Sequence, residues 1–439
     1  MHLLVTGGTI VTPAGTQRAD LLVKDGVVAA VGNIPDVPAD AKRVDATGRW
    51  IFPGLIDTQV HFREPGMEHK EDLESGALAA VAGGVTTFFE MPNTKPNTTS
   101  PEALADKLER AAGRCRADHA FFIGATPENT EQLGEWENLP GCSGVKVFMG
   151  SSTGSLLVED DPTLERVLRN GVRRVPVHSE DEPRLRERYA QVKPGSPYRI
   201  HPEVRDVEAA VISTKRLLTL AEKTHHPIQL LHISTAEELD IVRERDLGEL
   251  VTTEATPNHL FLEAPDCYDR FGAMAQMNPP VRDRRHQDAL REAINDGTID
   301  VIGSDHAPHT REEKRKPYPD APSGIPGVQT ILPLLLTAVR DGWLPIERIP
   351  LLCSHGPARI YGIEGKGSLE PGFDADFVIV DPNVTDPLPV SWLRSRTGYS
   401  PFEGTPLAGW PVSTYVRGQL VYDNHETVGD PIGQPVRFR

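Results

Sequence analysis

The chain has 439 residues, enough for one large catalytic domain and a smaller one. Its 46 basic and 63 acidic residues leave a net charge of −17, which argues against nucleic acid or an anionic membrane as partner. The four cysteines form no CxxC pair, and no apolar run reaches about 18 residues, so neither a disulfide framework nor a membrane span is predicted. The start shows no signal-peptide pattern, so we expect a cytoplasmic protein.

Both ends of the chain read as short β-strands. HLLVTGGTIV, ADLLVKDGVVAAVG and RVDATGRWIF at the start are separated by Gly-Gly and Asp-Gly turns. ADFVIVDP and TYVRGQLVYDN near the end have the same character. We expect the two ends, residues 1–53 and 361–439, to pair into one small β-sandwich domain.

The central region, residues 54–360, alternates short apolar runs with helical stretches. Examples are GVTTFFEMP followed by SPEALADKLERAAGR, and PIQLLHIS followed by TAEELDIVRERD. About eight such strands with helices between them predict an α/β fold, a (β/α)8 TIM-type barrel. The loop TREEKRKPYPDAPSGIPG is rich in Lys, Pro and Gly, and it is a candidate cover for a site.

Polar side chains recur at the predicted carboxyl ends of the barrel strands, where catalytic groups of such barrels lie. They are Asp57, Gln59, His61, Arg63, Asn93, Lys146, His178, His232, His259, Asp305, His306 and His309. Singly, each has a structural interpretation: Asp305 could cap a helix and Arg63 could pair with Glu64. Their recurrence at one end of successive strands favours a shared site.

These residue types suit a zinc centre. Zinc binds imidazole and carboxylate groups, and a catalytic site keeps one position for water, which the metal activates near neutral pH. A pair of metals needs a bridging anion. Lys146 lies between two valines, and burial favours its neutral amine, which carbon dioxide can convert to a carbamate.

Six segments, in order along the chain, resemble the dihydroorotase branch of the amidohydrolase superfamily. They are HFREPG (61–66), EMPNT (90–94), KVFMGSSTG (146–154), LLHIST (230–235), MNPP (277–280) and SDHAPH (304–309). The resemblance extends from residue 1 to about residue 425. It implies a metal-dependent, reversible hydrolysis of the cyclic amide of dihydroorotate to N-carbamoyl-aspartate, a step of pyrimidine (UMP) biosynthesis.

The resemblance also implies the ligands of one or two zinc ions. His61, N-carboxylated Lys146 and Asp305 would hold one ion, and Lys146, His178 and His232 the other. A hydroxide between the metals would attack the ring amide, and Asp305 would carry its proton to the leaving nitrogen.

Further residues are implied to bind the small anionic substrate. Arg63, Asn93 and His309 would bind its carboxylate, and Asn278 with the backbone at Pro326 and Gly327 would bind its ring. The chain departs from the superfamily pattern at one position, because Gln59 stands where most members have a histidine. An amide oxygen is a weaker zinc donor than imidazole, so we expect Gln59 to be a weak or absent ligand.

Two other functions compete with this interpretation. Another cyclic amidase, of the allantoinase or dihydropyrimidinase/hydantoinase type, would share the metals, but its substrate lacks the ring carboxylate that Arg63 and Asn93 would bind. A catalytically silent homologue that partners a transcarbamoylase would be marked by Gln59. His259 is either a partner of a metal ligand or an ordinary core histidine. We expect a homodimer, and an aspartate transcarbamoylase is a candidate partner.

Overall fold

The computed structural model describes residues 1–151 and 156–439, so Ser152, Thr153 and Gly154 of the KVFMGSSTG motif lie outside the described residues. Within them the strands are β1 (His2–Thr6), β2 (Thr9–Thr12), β3 (Gly15–Arg18), β4 (Asp20–Lys24), β5 (Val27–Gly32), β6 (Lys42–Asp45), β7 (Trp50–Pro53), β8 (Leu55–Val60), β9 (Val85–Glu90), β10 (Asp118–Gly124), β11 (Cys142–Phe148), β12 (Val175–His178), β13 (Ile228–Leu230), β14 (Val251–Ala255), β15 (Val301–Ile302), β16 (Phe377–Pro387), β17 (Pro406–Val416), β18 (Gln419–Asp423) and β19 (Glu426–Thr427). The α-helices are α1 (Leu73–Ala82), α2 (Pro101–Ala111), α3 (Leu133–Trp136), α4 (Asp161–Asn170), α5 (Glu182–Tyr189), α6 (His201–Val204), α7 (Val207–Thr224), α8 (Ala236–Arg245), α9 (Pro257–Phe261), α10 (Asp266–Phe271), α11 (Arg284–Asp296), α12 (Arg311–Lys314), α13 (Ile331–Arg340), α14 (Arg348–Pro350) and α15 (Gly356–Ile360).

Strands β8 to β15 form the predicted barrel. They follow one another in the sheet as they do in the sequence, and every neighbouring pair is parallel. The circle closes where Val60 pairs with His306, and the His61 amide donates to the His306 carbonyl oxygen at 2.7 Å. The β8 to β11 strands are buried along their whole length, as expected of parallel strands that are covered on both faces.

Most helices that follow barrel strands begin at a residue whose side chain caps them, with α3 after β10 as an exception. Ser100 accepts a hydrogen bond from the Ala103 amide at the start of α2, directly before Pro101. Thr235 and Glu238 form a reciprocal capping box at α8. These caps satisfy backbone amides at the helix starts, close to the strand ends that carry the polar residues.

The second domain joins both ends of the chain. In its seven-stranded sheet, β7 pairs parallel with β2 and antiparallel with β16. A four-stranded sheet, in the order β5-β4-β1-β6, packs on it over a core that includes Leu3, Ile51 and Phe377. The predicted α/β fold, a barrel with a β-sandwich built from both ends, is therefore confirmed.

Strand β17 also fastens this domain to the barrel. The Thr414 hydroxyl donates to the Val81 carbonyl oxygen in α1 at 2.7 Å. The Ala408 amide donates to the Thr337 hydroxyl in α13 at 2.9 Å.

Among the described residues, no helix has both the length and the apolar character needed to cross a bilayer.

Candidate metal centre and substrate pocket

The five predicted metal ligands lie at the carboxyl ends of barrel strands and are almost completely buried. They are His61, Lys146, His178, His232 and Asp305, each 6% exposed or less. Short contacts between polar atoms join four of them in two pairs, His178 with His232 and His61 with Asp305. Buried imidazoles and carboxylates at this position in a barrel are the groups that a divalent metal needs.

His178 and His232 direct ring nitrogens at each other. His178 Nε2 lies 2.9 Å from Glu180 Oε2, and because a carboxylate only accepts, His178 carries its proton on Nε2. Its Nδ1 therefore has a lone pair, 3.1 Å from His232 Nε2. Burial lowers the pKa of both rings, which favours their neutral forms. Two neutral imidazoles facing one point fit a shared metal ion, with Glu180 orienting one of them.

His61 and Asp305 form the second group. Asn93 Oδ1 lies 2.7 Å from His61 Nδ1, so the ring donates there and keeps its Nε2 lone pair. That lone pair faces Asp305 Oδ1 at 3.2 Å, which places two acceptors opposite each other. Burial lowers the pKa of His61, so its Nε2 does not readily take up a proton that could bond Asp305. Two acceptor atoms facing each other in this way fit a metal cation bound between them.

Gln59 contacts Asp305 through the NH2 group of its side-chain amide. Its Nε2 donates to Asp305 Oδ1 at 3.1 Å, and its buried Oε1 has no hydrogen-bond partner within the described residues. A histidine there would offer a ring nitrogen to a metal. The glutamine instead holds one oxygen of the carboxylate.

Lys146 has the surroundings of a neutral amine. Its Nζ is buried without a hydrogen-bond partner among the described residues, 4.5 Å from the centre of the Phe148 ring. Burial lowers its pKa to about 7, and the carboxyl groups of Glu254 and Asp305 only partly oppose this effect. An orphaned buried amine of this kind fits conversion to a carbamate, since the added carboxylate could bind metal.

Three residues of the site hold left-handed backbone conformations. The φ angles are 66° at Arg63, 36° at His232 and 48° at Asp305. Residues other than glycine seldom adopt this region, and such strain is concentrated at functional sites. Gly66, at the end of the HFREPG motif, has a φ of 88°, and a Cβ there would lie 2.0 Å from the Lys95 carbonyl oxygen. The turn after β8 therefore requires glycine at this position.

A cavity of about 800 Å³ adjoins this centre. The charged side chains in its lining are Arg63, Lys70, Lys95, Arg205 and Asp320. It is linked to the two groups of ligands through Asn93, which bonds His61, and through Arg205, which bonds Glu180. Lys70 and Arg205 pair with Glu313 and Glu180, but Arg63 and Lys95 still outnumber Asp320, so the lining is locally positive on an acidic protein, which suits an anionic ligand.

Arg63 and His309 lie together in the pocket wall. Arg63 Nε donates to the Pro308 carbonyl oxygen at 3.1 Å, and Arg63 Nη2 lies 3.1 Å from His309 Nε2. Among the described residues no carboxylate lies within ion-pair distance of this guanidinium. Burial consequently lowers the pKa of Arg63 to about 10.

The predicted ring-binding residues separate in the structure. Asn278 lines the cavity, and its Oδ1 is held 3.1 Å from His201 Nε2. Pro326 and Gly327 line a different, much smaller cavity, and the Gly327 amide donates to His306 Nδ1 at 3.1 Å. The loop predicted to cover a site does so, because residues 319–323 line the large cavity.

His259 is a satisfied core histidine. Its Nδ1 lies 2.9 Å from the Thr256 hydroxyl and its Nε2 lies 3.1 Å from the Pro279 carbonyl oxygen. Burial lowers its pKa to about 4, so it stays neutral. It anchors the loop that carries Asn278.

Sequence reasoning missed three charged residues that organise the site. Glu180 orients His178, Arg205 donates to Glu180 Oε1 at 3.1 Å, and Lys70 lies 3.0 Å from His309 Nδ1. Glu180 follows His178 by two residues, which is a usable signal for a carboxylate that supports a ligand. Arg205 and Lys70 lie in irregular segments, and no local pattern marks them.

A separate group of carboxylates, Asp118, Asp374 and Asp376, has the spacing of a cation site. Lys366 already fills it, with Nζ 2.6 Å from Asp118 and Asp376 and 3.0 Å from Asp374. These contacts raise the pKa of Lys366. The cluster thus joins β10 of the barrel to the sandwich, and its cation is a side chain.

Comparisons with known proteins agree with this architecture. Residues 48–142 match the dihydro-orotase-like family and residues 203–421 the amidohydrolase family. A dihydroorotase of Methanosarcina acetivorans is 37% identical over 92% of this chain and 89% of its own length. An allantoinase of Deinococcus radiodurans is 34% identical over 100% of this chain and 99% of its own.

A solved structure has the same fold. The L-hydantoinase (dihydropyrimidinase) of Arthrobacter aurescens superposes with a TM-score of 0.92 at 30% identity, covering 100% of this chain and 99% of that one. The predicted family is therefore confirmed by sequence and by fold. The chain belongs to the amidohydrolase family, among its dihydro-orotase-like members.

Proposed function

We propose that this chain is a dihydroorotase, which opens the cyclic amide of dihydroorotate to N-carbamoyl-aspartate and closes it again in pyrimidine (UMP) biosynthesis. The observation that carries the proposal is Arg63, a buried guanidinium in the wall of a positive pocket with no carboxylate partner in the described chain. A substrate carboxylate would supply that partner. The nearby histidines, Lys146 and Asp305 support hydrolysis of an amide.

The metal ligands are proposed as the sequence predicts them. His61, Lys146 as its carbamate and Asp305 would hold one zinc ion, and Lys146, His178 and His232 a second. Bound zinc would supply an activated water and polarise the amide carbonyl.

The remaining roles belong to the chain itself. Arg63, Asn93 and His309 hold the substrate carboxylate, while Asn278, in the same cavity, contacts the ring. The ring contact predicted for the backbone at Pro326 and Gly327 is not supported, because both residues line a separate cavity and the Gly327 amide donates to His306. Asp305 takes a proton from the attacking water. As the carbon–nitrogen bond breaks, Asp305 gives that proton to the leaving nitrogen, so the product leaves as a carbamoyl amide and a carboxylate.

Gln59 bears on how many zinc ions are held. Because its amide donates to Asp305, we propose that it contributes little to metal binding and that the site shared by His61 and Asp305 is the weaker one. Metal analysis of zinc-replete protein after extensive dialysis tests this. One retained ion per chain is expected, and two tightly held ions would contradict it.

The substrate is tested by ring opening of dihydroorotate at alkaline pH with the zinc-loaded protein. Turnover is expected, and an Arg63→Met variant should lose most of it through a raised KM. Dihydrouracil, which lacks the carboxylate, is the matched control. Equal efficiency on both rings, unchanged by Arg63→Met, would refute the assignment.

A second candidate is a cyclic amidase for an uncharged ring. The full-length similarity to an allantoinase and the fold shared with a hydantoinase favour it. Hydrolysis of allantoin or hydantoin without activity on dihydroorotate would establish it.

A silent partner of a transcarbamoylase is the third possibility, and folded, zinc-loaded protein inactive on all of these rings would support it. A homodimer and an aspartate transcarbamoylase partner remain predictions, which light scattering and co-purification test.

A further inference from the structure

We infer that Lys70 fixes the proton of His309 on Nε2 and thereby keeps Arg63 and His309 available as a pair of donors for a substrate carboxylate. Lys70 is a positioning residue in this role, since it acts through His309. The inference rests on the proposed function, because it explains how the same pocket selects a ring with a carboxylate.

The first step is the contact between Lys70 and His309. Lys70 Nζ lies 3.0 Å from His309 Nδ1 and 2.9 Å from Glu313 Oε1, and its side chain is only 11% exposed. An ammonium group has donors and no acceptor, so His309 Nδ1 must accept from it. A neutral imidazole that accepts at Nδ1 carries its proton on Nε2.

The second step is what surrounds Nε2. It lies 3.0 Å from the Ser323 carbonyl oxygen, which accepts its proton, and 3.1 Å from Arg63 Nη2. Because a guanidinium also only donates, Arg63 and His309 cannot hydrogen-bond each other in this tautomer. Arg63 Nη2 therefore keeps its donors for a substrate carboxylate, and a carboxylate oxygen beside Nε2 would share the His309 proton with the Ser323 carbonyl oxygen.

The other tautomer would disable the pair. With the proton on Nδ1, the Nε2 lone pair would accept from Arg63, and the guanidinium would lose a donor to the protein. The proton on Nδ1 would also face the Lys70 ammonium, which is another donor, so the two groups would repel each other. Lys70 therefore makes that state unfavourable, and Glu313 supports Lys70 by pairing with it.

The charges around His309 agree with a neutral ring. Burial, followed by the charges of Arg63, Lys314 and Lys70, lowers the pKa of His309 well below its usual value. Glu313 Oε2 is 3.9 Å from Nδ1, beyond hydrogen-bond distance, and Tyr399 packs on the same segment. A proton added to the ring is disfavoured, so the position of its single proton decides what it offers.

The test compares Lys70→Met, which keeps the apolar stem, with Lys70→Arg, which keeps a donor. Lys95→Met is the matched control, because Lys95 is an exposed cation of the same cavity and has no contact with His309. Its effect measures the loss of charge alone. Nitrogen chemical shifts of His309 in the zinc-loaded proteins report the tautomer directly.

We expect the Nε2–H tautomer in wild type, Lys70→Arg and Lys95→Met, and a shift toward Nδ1–H in Lys70→Met. The KM for dihydroorotate should rise roughly tenfold in Lys70→Met, with kcat changed less than about threefold and partial rescue in Lys70→Arg. An unchanged His309 tautomer in Lys70→Met, or an equal rise of KM in Lys95→Met, would overturn the inference. Absence of dihydroorotate turnover in wild type would overturn the proposed function instead, while the tautomer measurement would still judge the role of Lys70.

Discussion

Arg63 and Arg205 are both arginines 2% exposed in the same cavity, yet replacing each with methionine should have opposite effects on stability. Arg205 pairs with Glu180, which helps raise its pKa, whereas Arg63 has no carboxylate partner among the described residues. Methionine preserves much of the apolar stem in both cases. The comparison therefore isolates the charge.

The size of the effect at Arg63 follows from its pKa, which burial lowers from 12.5 to about 10. At about 1.4 kcal/mol per pKa unit, holding the charge costs the folded protein on the order of 3 kcal/mol. A lowered pKa of a cation destabilises the fold at every pH below about 10, and this cost disappears as the pH rises from there toward 12.5. Losing the bond to the Pro308 carbonyl oxygen offsets about 1–2 kcal/mol.

Arg63→Met should consequently raise the free energy of unfolding by about 1–2 kcal/mol at pH 8. Arg205→Met should lower it by about 3–5 kcal/mol, because it leaves Glu180 charged and buried. Urea titration of metal-free, ligand-free protein, followed by tryptophan fluorescence, measures both. Binding of dihydroorotate should be lost in Arg63→Met although the protein is more stable.

A loss of stability in Arg63→Met similar to that in Arg205→Met would refute this reasoning. It would mean that Arg63 is paired within the protein and does not await a ligand. The proposed carboxylate site would then lose its main support.

Three further changes test other parts of the site. Glu180→Gln should weaken zinc binding about 10–100-fold in competition with a coloured chelator, since the His178 ring loses its charged acceptor; unchanged affinity would remove Glu180 from the metal centre. Incorporation of ¹³C-bicarbonate as a carbamate on Lys146 in metal-free protein should increase from about pH 6 to about pH 8, because an amine with a pKa of about 7 loses its proton over this range. A carbamate signal that does not change with pH would contradict the lowered pKa of Lys146. Lys366→Met should cost roughly 3–5 kcal/mol of unfolding free energy in urea, because it leaves a cluster of buried carboxylates short of its central cation, and a neutral result would show that the cluster does not hold the two domains together.

The barrel could be predicted because its signal is repeated. Short apolar runs alternate with helices, and several of these helices have an identifiable start, as at Ser100 and Thr235. The order of strands in the sandwich was not readable. Pairing of β7 with β2 and β16 depends on contacts between distant segments, which no local pattern records.

The site was predictable to the extent that its residues stand at strand ends. His61, His178 and Asp305 stand within a few residues of an apolar run, so their positions could be read from the sequence. Lys70 and Arg205 could not be found this way, because their importance comes from one partner brought close by folding. The donor role of Gln59 toward Asp305 also depends on the orientation of an amide, which the residue type leaves open.

The split sandwich has a consequence for how the protein is made. Strand β7 is synthesised more than 300 residues before its neighbour β16, and every proposed metal ligand precedes that neighbour as well. A growing chain can therefore complete the barrel while the edge of β7 and the surfaces of α1 and α13 that meet β17 still face solvent. A product of premature termination would carry a full set of ligands on a body with exposed apolar surface. Exposed apolar surface of this kind promotes aggregation, so we expect chains that lack the last strands to be less soluble than the complete chain.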